Sequence, residues 1–268
     1  MDLGLQGKVA IVAASSKGLG KASAIQLARE GAKVVMCSRD AERIEAAAAE
    51  ARAEAVAYEN GGEAVGIVAD VTKADAIQNV VDEALNRYGR IDILVNNAGG
   101  PPGGMFESFS ADDFRNAIEL NLMSALMFSQ AVVPHMKAQG GGSIVNVTSI
   151  SVKQPLDGLI LSNTARAGTT GLAKSMANEL GQHGIRVNCV APGPTRTGRV
   201  LDLAQARAER EGISLDEAVN RDWQGIPMGR LGEPEEFANV VTFFASPAAS
   251  YVTGITLQVD GGLFRGLM

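Results

Sequence analysis

The sequence predicts an α/β fold, in which helices cover both faces of a doubly wound parallel β-sheet of about seven strands. Apolar, β-branched segments alternate with segments of helical periodicity along almost all of the 268 residues. The strand segments are continuously apolar, as expected of strands that are buried on both faces. Hydrophobic residues make up 46% of the chain and no repeat or linker interrupts it, so we expect one domain spanning residues 1–268.

Strands and helices alternate in the first half of the chain. Glycines end two of the helical segments, and a possible capping box at residues 72–75 opens another. The predicted strands are 8–14, 33–38, 63–70 and 91–96, and the helices are 18–30, 40–60, one from about 72, and one capped at 110–113 that continues to about 139.

The second half continues the alternation with one interruption. Strands are predicted at 142–149, 185–191 and 255–259, and helices at 161–181 and from Pro234, whose missing N–H costs nothing at a helix start. Residues 198–227 are the least regular part, rich in charges. They follow the carboxyl end of a strand, where such sheets bind ligands, so we predict a substrate lid, with a surface excursion as the alternative.

The composition argues against several functional classes. The net charge is −6 without a basic block, so we expect no nucleic-acid partner. The first residues lack the pattern of a signal peptide, no apolar run has membrane-spanning length, and no metal site is predicted. Cys37 and Cys189 lie in apolar strand segments and are expected to be buried in a reducing compartment. These features predict a cytoplasmic protein.

A glycine-containing turn joins the first strand to the first helix. Glycines allow the backbone to approach a pyrophosphate, and a helix start offers free N–H groups, so the turn predicts a dinucleotide site. A tight turn without a ligand is the alternative. The turn comprises Ser15, Ser16, Lys17, Gly18, Leu19 and Gly20.

The end of the second strand indicates which cofactor binds. Ser38 and Arg39 stand where a carboxylate would bind the 2′-hydroxyl of NAD, and Lys17 lies on the turn. Two cations and a hydroxyl suit a 2′-phosphate, so we predict NADP(H) in preference to NAD(H). Taken alone, Lys17 would be read as a solvated surface residue.

These features resemble the short-chain dehydrogenase/reductase (SDR) family, with 3-oxoacyl-ACP reductase-like members as the nearest relatives. The turn matches the family's Thr-Gly-x-x-x-Gly-x-Gly fingerprint except at Ala14, where a glycine is replaced. One methyl group is tolerable at this position if φ is negative there. The resemblance covers nearly the whole chain and implies a Rossmann-type sheet and an assembly of two or four copies.

The resemblance also implies cofactor contacts at the ends of later strands. An aspartate and the residue after it are expected to contact adenine, and an Asn-Ala-Gly segment follows the fourth strand. A Pro-Gly turn with two threonines is expected near the nicotinamide carboxamide. An arginine occupies the position of the family's ribose-binding lysine. They are Asp70, Val71, Asn97, Ala98, Gly99, Pro192, Gly193, Thr195, Thr197 and Arg166.

The catalytic frame of the family is present with two replacements. Ser149 is followed thirteen residues later by Ser162 in the tyrosine position, and four residues after that by Arg166 in the lysine position. With Asn121 these residues form the implied catalytic set. An aliphatic hydroxyl titrates far above a phenol and arginine stays protonated, so the family's proton donor is lost. One hypothesis is a water held by the two serines and linked to Lys153; the other is that Lys153 is an ordinary loop charge.

Three functions fit these observations. The first is an NADP(H)-dependent oxidoreductase that reduces a carbonyl or oxidises an alcohol of a small molecule through a nonstandard proton path. The second is a non-redox SDR-like enzyme of dehalogenase or lyase type, and the third is a catalytically silent NADP-binding sensor or partner subunit. We favour the first because the cofactor positions are largely intact. Arg166 and Arg196 would favour an anionic group in the substrate, and a structural ion pair on an interface helix is the alternative for Arg166.

Overall fold

A parallel sheet of seven strands forms the centre of the structure, a computed structural model that describes residues 2–267 apart from the side chain of Asp222. The strands are β1 (Val9–Val12), β2 (Lys33–Ser38), β3 (Glu63–Val68), β4 (Ile93–Asn96), β5 (Gly142–Val147), β6 (Ile185–Pro192) and β7 (Thr256–Val259). Their order across the sheet is β3-β2-β1-β4-β5-β6-β7. The direction of winding reverses between β1 and β4, so the predicted doubly wound α/β fold is confirmed.

Helices lie on both faces of this sheet. They are α1 (Gly18–Arg29), α2 (Ala41–Ala57), α3 (Ala74–Tyr88), α4 (Ala111–Ile118), α5 (Ser124–Ala138), α6 (Ile160–Leu180), α7 (Gly198–Glu211), α8 (Leu215–Gln224) and α9 (Pro234–Ala245). Helices α1, α2 and α9 bury Leu27, Ala48 and Phe244 in one apolar cluster. Helices α3 and α5 bury Val80 and Phe128 in a second cluster on the opposite face, where α6 also packs.

Strand β2 shows why the strand segments are continuously apolar. Val34 and Met36 belong to the first cluster, whereas Val35 and Cys37 belong to the second. Successive side chains point to opposite faces of a sheet, so a strand covered on both sides needs apolar residues at every position. Cys37 and Cys189 are both buried, as their positions in the sequence predict.

Side-chain caps were predicted for the helices that begin near residues 72 and 110, and only the second helix has one. The Ser110 hydroxyl accepts the Asp113 N–H at 3.3 Å and the Asp113 carboxylate accepts the Ser110 N–H at 2.8 Å, which is a capping box. The capping box predicted at residues 72–75 is wrong. Thr72 donates both its N–H and its hydroxyl to Asp70 Oδ1 at 2.9 Å, so its side chain is engaged in the preceding turn and α3 begins after Lys73 without a side-chain cap.

A π-helical turn, Glu119–Met123, joins α4 and α5 into one helix of 28 residues. By length and composition this helix is apolar enough to cross a membrane, contrary to the expectation from the sequence that no run has that length. However, Phe128, Val132 and Met136 of α5 are buried against the sheet. The apolar residues of α5 therefore cover one face of the sheet.

The segment predicted to be irregular contains two helices, α7 and α8. They are joined through Gly212 at φ 65°, and Ser214 caps α8 by accepting the Glu217 N–H at 3.2 Å. Their shared core consists of small residues such as Ala204, Ala208 and Ala218. Helices that bury only alanines among many charges show a weak apolar period, which is why the sequence suggested an irregular chain.

Candidate active site

A cleft of about 830 Å³ lies at the carboxyl ends of the strands where the sheet reverses its winding, with α7 along one side. Crevices at this position are the usual ligand sites of doubly wound sheets. Most residues that the sequence singles out meet here. They are Ser16, Lys17, Gly18, Leu19, Ser38, Arg39, Asp70, Val71, Asn97, Ala98, Gly99, Ser149, Ser162, Arg166, Pro192, Gly193, Thr195 and Thr197.

Two residues of the predicted cofactor turn lie behind the cleft wall. The Ser15 hydroxyl donates to Val12 O at 2.8 Å and accepts the Cys37 N–H at 3.2 Å, and the residue is fully buried. At Gly20, a Cβ would lie 2.5 Å from Asn97 Nδ2. Ser15 therefore joins the ends of two strands and Gly20 allows close packing, and neither lines the cleft.

The turn itself contains a residue in the left-handed region. Ala14 has φ 47°, so the condition under which its methyl group is tolerated without strain, a negative φ, is not met. Asn97 Nδ2 donates to the main-chain oxygens of Ala14 at 3.0 Å and Ala13 at 3.2 Å, which holds the turn from β4. An L-residue in this conformation costs roughly 1–2 kcal/mol. The turn therefore keeps the shape of a glycine turn at the expense of backbone strain.

The start of α1 faces the cleft with its hydrogen-bonding groups available. Lys17 is the N-cap and no side chain caps the first turn. The N–H groups that follow Gly18 and the positive end of the helix dipole suit a pyrophosphate. Lys17 is exposed and lines the cleft beside them. The residues present therefore fit the diphosphate of a dinucleotide.

At the end of β2 the Arg39 guanidinium faces the cleft, whereas the carboxylate of the next residue, Asp40, does not line it. Arg39 lines the cleft, whereas Asp40 caps α2 by accepting the Arg43 N–H at 3.0 Å and pairs with the Arg43 guanidinium at 3.2 Å. Asp70, which follows β3, also lines the cleft. Although burial opposes ionisation, hydrogen bonds from Thr72 and the charge of Arg39 keep the pKa of Asp70 below its usual value.

The two serines of the catalytic frame both line the cleft and differ in their hydrogen bonds. Ser149 Oγ accepts the Ser151 N–H at 3.1 Å, so its own proton remains available for a substrate oxygen. Ser162, near the start of α6, is 6% exposed, and its hydroxyl makes no hydrogen bond to another described residue. The described residues that line the cleft include Asp157 but no tyrosine, histidine or cysteine, and Lys153 is not among them.

Arg166 lies one helical turn after Ser162 with its guanidinium buried beneath the cleft. Nη1 donates to Val147 O at 2.9 Å and Nη2 to Ala98 O at 3.4 Å. Among the described side chains of this chain no carboxylate lies within 4.0 Å of it, so Arg166 forms no ion pair with them. Burial, and secondarily the charge of Arg199, lowers the pKa of Arg166 to about 10. The group therefore remains a cation at neutral pH.

Asn121 lies in the π-helical turn and faces a separate void rather than the main cleft. Its main-chain oxygen accepts the Thr169 hydroxyl at 3.2 Å. Its side chain lines a void of about 10 Å³ together with Asn96 and Arg166, a size that matches one water molecule. Within the described chain, Oδ1 of Asn121 has no hydrogen-bond partner. Asn121 and Arg166 therefore line the same void.

A second arginine lines the cleft, and it is not the one that the sequence suggested. Arg196 pairs with Glu233 at 2.9 Å, and its side chain is 64% exposed outside the cleft. Arg199, in the first turn of α7, lines the cleft and donates to Pro101 O. Arg196 precedes α7, whereas Arg199 lies in its first turn, and the direction of α7 carries Arg199 to the cleft. Helical periodicity from residue 198 onward was the signal that could have identified Arg199.

Comparisons with known proteins agree with this arrangement. A family model described as enoyl-(acyl carrier protein) reductase matches residues 13–264. The chain is 37% identical to the 3-oxoacyl-[acyl-carrier-protein] reductase FabG of Thermotoga maritima, over 97% of this chain and 98% of that protein.

Solved structures are similar over the whole chain. The L-sorbose reductase of Gluconobacter frateurii, complexed with NADPH and L-sorbose, is 32% identical with a TM-score of 0.91, over 100% of both chains. A 7α-hydroxysteroid dehydrogenase complexed with NADH and 7-oxo glycochenodeoxycholic acid is 35% identical with a TM-score of 0.85, over 100% of this chain and 98% of that one. The similar proteins thus include one with each nicotinamide cofactor.

Proposed function

The chain belongs to the short-chain dehydrogenase/reductase family, and we propose that it is an NADP(H)-dependent oxidoreductase with a water-mediated proton path. Its reaction class is that of a carbonyl reductase or alcohol dehydrogenase, like the relatives described above. The observation that carries the proposal is the meeting of the phosphate-binding turn with Ser149, Ser162 and Arg166 in one cleft.

The preference for NADP(H) rests on charge at the ends of β1 and β2. Lys17 and Arg39 line the cleft, and neither forms an ion pair with another described residue. Asp40, which would repel a 2′-phosphate, is engaged with Arg43. A 2′-phosphate would interact with two cations here, whereas the ribose 2′-hydroxyl of NAD would find no carboxylate at the end of β2 to accept its hydrogen bond. The neighbour with NADH shows that the family fold alone does not decide this preference.

The proposed chemistry assigns each polar group a role. A bound nicotinamide cofactor supplies the hydride for a carbonyl carbon or accepts one from an alcohol carbon. The Ser149 hydroxyl donates a hydrogen bond to the substrate oxygen, and the positive potential of the nearby Arg166 cation favours the negative charge that develops there. The Ser162 hydroxyl, which has room beside it where the family has a phenol ring, orients a water that exchanges the proton with the substrate oxygen.

Neither serine nor arginine titrates near neutral pH, so neither replaces the phenol as an acid. Losing general acid–base help typically lowers a rate by roughly 10²–10⁴. We therefore expect slow turnover compared with members that carry tyrosine and lysine. Lys153 lies outside the cleft, so the proposed path uses water and the two serines without it.

The remaining parts of the proposal concern the whole molecule. Helices α7 and α8 act as a substrate lid, since residues from Gly198 to Gly225 line one side of the cleft. We propose a cytoplasmic homodimer or homotetramer on the family pattern, with a small carbonyl or alcohol as substrate and no nucleic-acid or membrane partner. The mass in solution tests the assembly, and a monomer would contradict it.

The first experiment is a titration of the protein with NADPH and with NADH, followed by nicotinamide fluorescence. We expect saturable binding of both with NADPH clearly preferred, and then carbonyl-dependent loss of nicotinamide absorbance. Binding of neither cofactor would refute the proposal and favour the non-redox alternative. Binding without turnover on any carbonyl would favour the silent sensor or partner subunit.

A further inference from the structure

Two guanidinium groups contact the same short segment of the cleft wall, residues 98–101. Arg166 Nη2 donates to the main-chain oxygen of Ala98 at 3.4 Å, and Arg199 Nη2 donates to that of Pro101. A Cβ added to Gly100 would lie 2.6 Å from Arg199 Nε, so this guanidinium lies directly on the segment. One cation comes from α6 beneath the cleft and the other from α7 on the lid.

The two cations repel each other and lack a close counter-charge. Within the described chain no carboxylate lies within 4.0 Å of either guanidinium. Burial lowers the pKa of Arg199, with Asp202 as a weaker opposing influence, and the charge of Arg199 adds to the burial that lowers the pKa of Arg166. Burying two like charges without an anion is unfavourable, and an anion between them would reverse the sign of that interaction.

Unused hydrogen-bond donors accompany these charges. A guanidinium has five N–H donors, and Arg166 uses two bonds to carbonyl oxygens whereas Arg199 uses one. Both arginines line the same cleft as Ser149 and Ser162. Planar guanidinium groups match carboxylate oxygens in geometry as well as in charge. The donors therefore favour a carboxylate over a neutral carbonyl compound.

The surroundings of Arg199 favour a substrate over a cofactor phosphate. One turn along α7, Leu203 meets Leu159 near Gly103: a Cβ there would lie 3.2 Å from Leu203 Cδ2 and 3.9 Å from Leu159 Cδ2. These apolar side chains line the cleft beside the arginine pair. A dinucleotide phosphate would not need an apolar neighbour, whereas the hydrocarbon part of an organic acid would.

We propose that Arg166 and Arg199 form a carboxylate-binding site, so that the substrate is an oxo acid, or the matching hydroxy acid, with an apolar body. This inference rests on the proposed function for the reaction and adds the substrate class. In reduction the oxo carbon gains a hydride, its oxygen gains a proton, NADPH becomes NADP⁺, and the carboxylate is unchanged. The carboxylate bound by the arginines would place the oxo group toward Ser149 and Ser162.

The test measures binding rather than turnover. Calorimetric titration of the protein with NADP⁺ present compares butanoate with butanamide, which has nearly the same shape and no charge. We expect butanoate to bind at least tenfold more tightly, and Arg199→Gln to weaken it by roughly tenfold to a hundredfold with butanamide unchanged. Arg199→Lys should recover part of the loss, and the matched control Arg196→Gln, outside the cleft, should bind as the wild type does.

Two outcomes would overturn the inference. One is equal binding of butanoate and butanamide. The other is an Arg199→Gln variant that loses NADPH affinity while butanoate binding is unchanged, which would assign the arginine to a cofactor phosphate. Because these titrations need no hydride transfer, a failure of the redox proposal would leave butanoate binding intact. If NADP⁺ does not bind, the same comparison is made with the protein alone.

Discussion

Asn97 Nδ2 donates a 3.0 Å hydrogen bond to the main-chain oxygen of Ala14, which joins the end of β4 to the turn after β1. The bond holds Ala14 at φ 47°, a conformation that L-residues rarely adopt. The shape of the phosphate-binding turn is therefore imposed from a strand 83 residues away in sequence. Consequences for stability, cofactor choice and catalysis can be tested separately.

Replacing Ala14 by glycine should stabilise the protein. Glycine adopts a positive φ without the steric cost, and the gain, about 1 kcal/mol, is partly offset by its greater freedom in the unfolded chain. Denaturant unfolding of Ala14→Gly measures the effect. Glu59→Gly, at φ 55° outside the cleft, should also stabilise, whereas Ala13→Gly should destabilise. A loss of stability in Ala14→Gly would contradict the inference that the backbone is strained at Ala14.

Removing either of the cations proposed to bind the 2′-phosphate should weaken the binding of NADPH more than that of NADH. We expect Lys17→Ala and Arg39→Ala each to raise the NADPH dissociation constant by about tenfold, the size of a charge-assisted hydrogen bond, with NADH changed little. Fluorescence titration with both cofactors measures this. Arg43→Ala, whose guanidinium pairs with Asp40 instead, serves as the control. Equal losses for both cofactors would mean that the cations bind the shared pyrophosphate.

Rebuilding the family pair should accelerate the reaction. In the double variant Ser162→Tyr, Arg166→Lys, a phenol beside an ammonium group supplies the missing acid, and we expect turnover to rise by about 10². The rate should also acquire a pH dependence from the phenol. Ser162→Phe, Arg166→Lys has the same ring without the hydroxyl and should not gain rate. Equal rates for the two variants would show that the proton path does not depend on residue 162.

Two buried threonines should respond in opposite ways to replacement by valine. Thr242 in α9 is 1% exposed and its hydroxyl has no partner in the described chain, so Thr242→Val should raise the unfolding free energy by about 1 kcal/mol. Thr169 donates to Asn121 O and Ala165 O at 3.2 Å, so Thr169→Val should lower it by a similar amount. Urea unfolding of both variants provides the comparison, and a destabilised Thr242→Val would contradict the expectation.

The two cysteines should be unreactive in the native protein. Burial raises the pKa of Cys37 to about 11 and that of Cys189 to about 12, and both are at most 1% exposed. Because the thiolate is the nucleophile, a thiol-specific reagent at pH 8 should modify neither until the chain unfolds. Rapid labelling of the folded protein at either thiol would mean that the sheet opens locally.

The sequence predicted those parts of the molecule that depend on local pattern. Strand β2 has the predicted bounds, residues 33 and 38, and Ser16, Lys17, Gly18 and Leu19 of the predicted turn reach the expected cleft. The capping box of Ser110 and Asp113 was also predictable, because its two partners are three residues apart. In each case the determining contacts are close in sequence or follow one strand.

The parts that sequence reasoning missed depend on distant contacts. The sign of φ at Ala14 follows from Asn97, and the position of Arg199 follows from docking of α7 against Pro101, 98 residues earlier. Ser15 and Gly20 belong to the expected turn, but the packing of β2 and Asn97 around them keeps them out of the cleft. The sequence around Ala14, Ser15 and Gly20 does not reveal such contacts, because their partners lie elsewhere in the chain.

The hairpin of α7 and α8, the proposed lid, has an apolar core of its own. Ala204, Ala208 and Ala218 of α7 and α8 pack with Ile213 and Val219, in a cluster separate from the two that cover the sheet. A unit that buries its apolar surface internally can separate from the rest of the protein without exposing the main core. Amide hydrogens of α7 and α8 should therefore exchange with deuterium by opening of the helical hairpin as one body, well before those of β1 and β4. Access to the arginine pair would then be governed by this opening rather than by global unfolding.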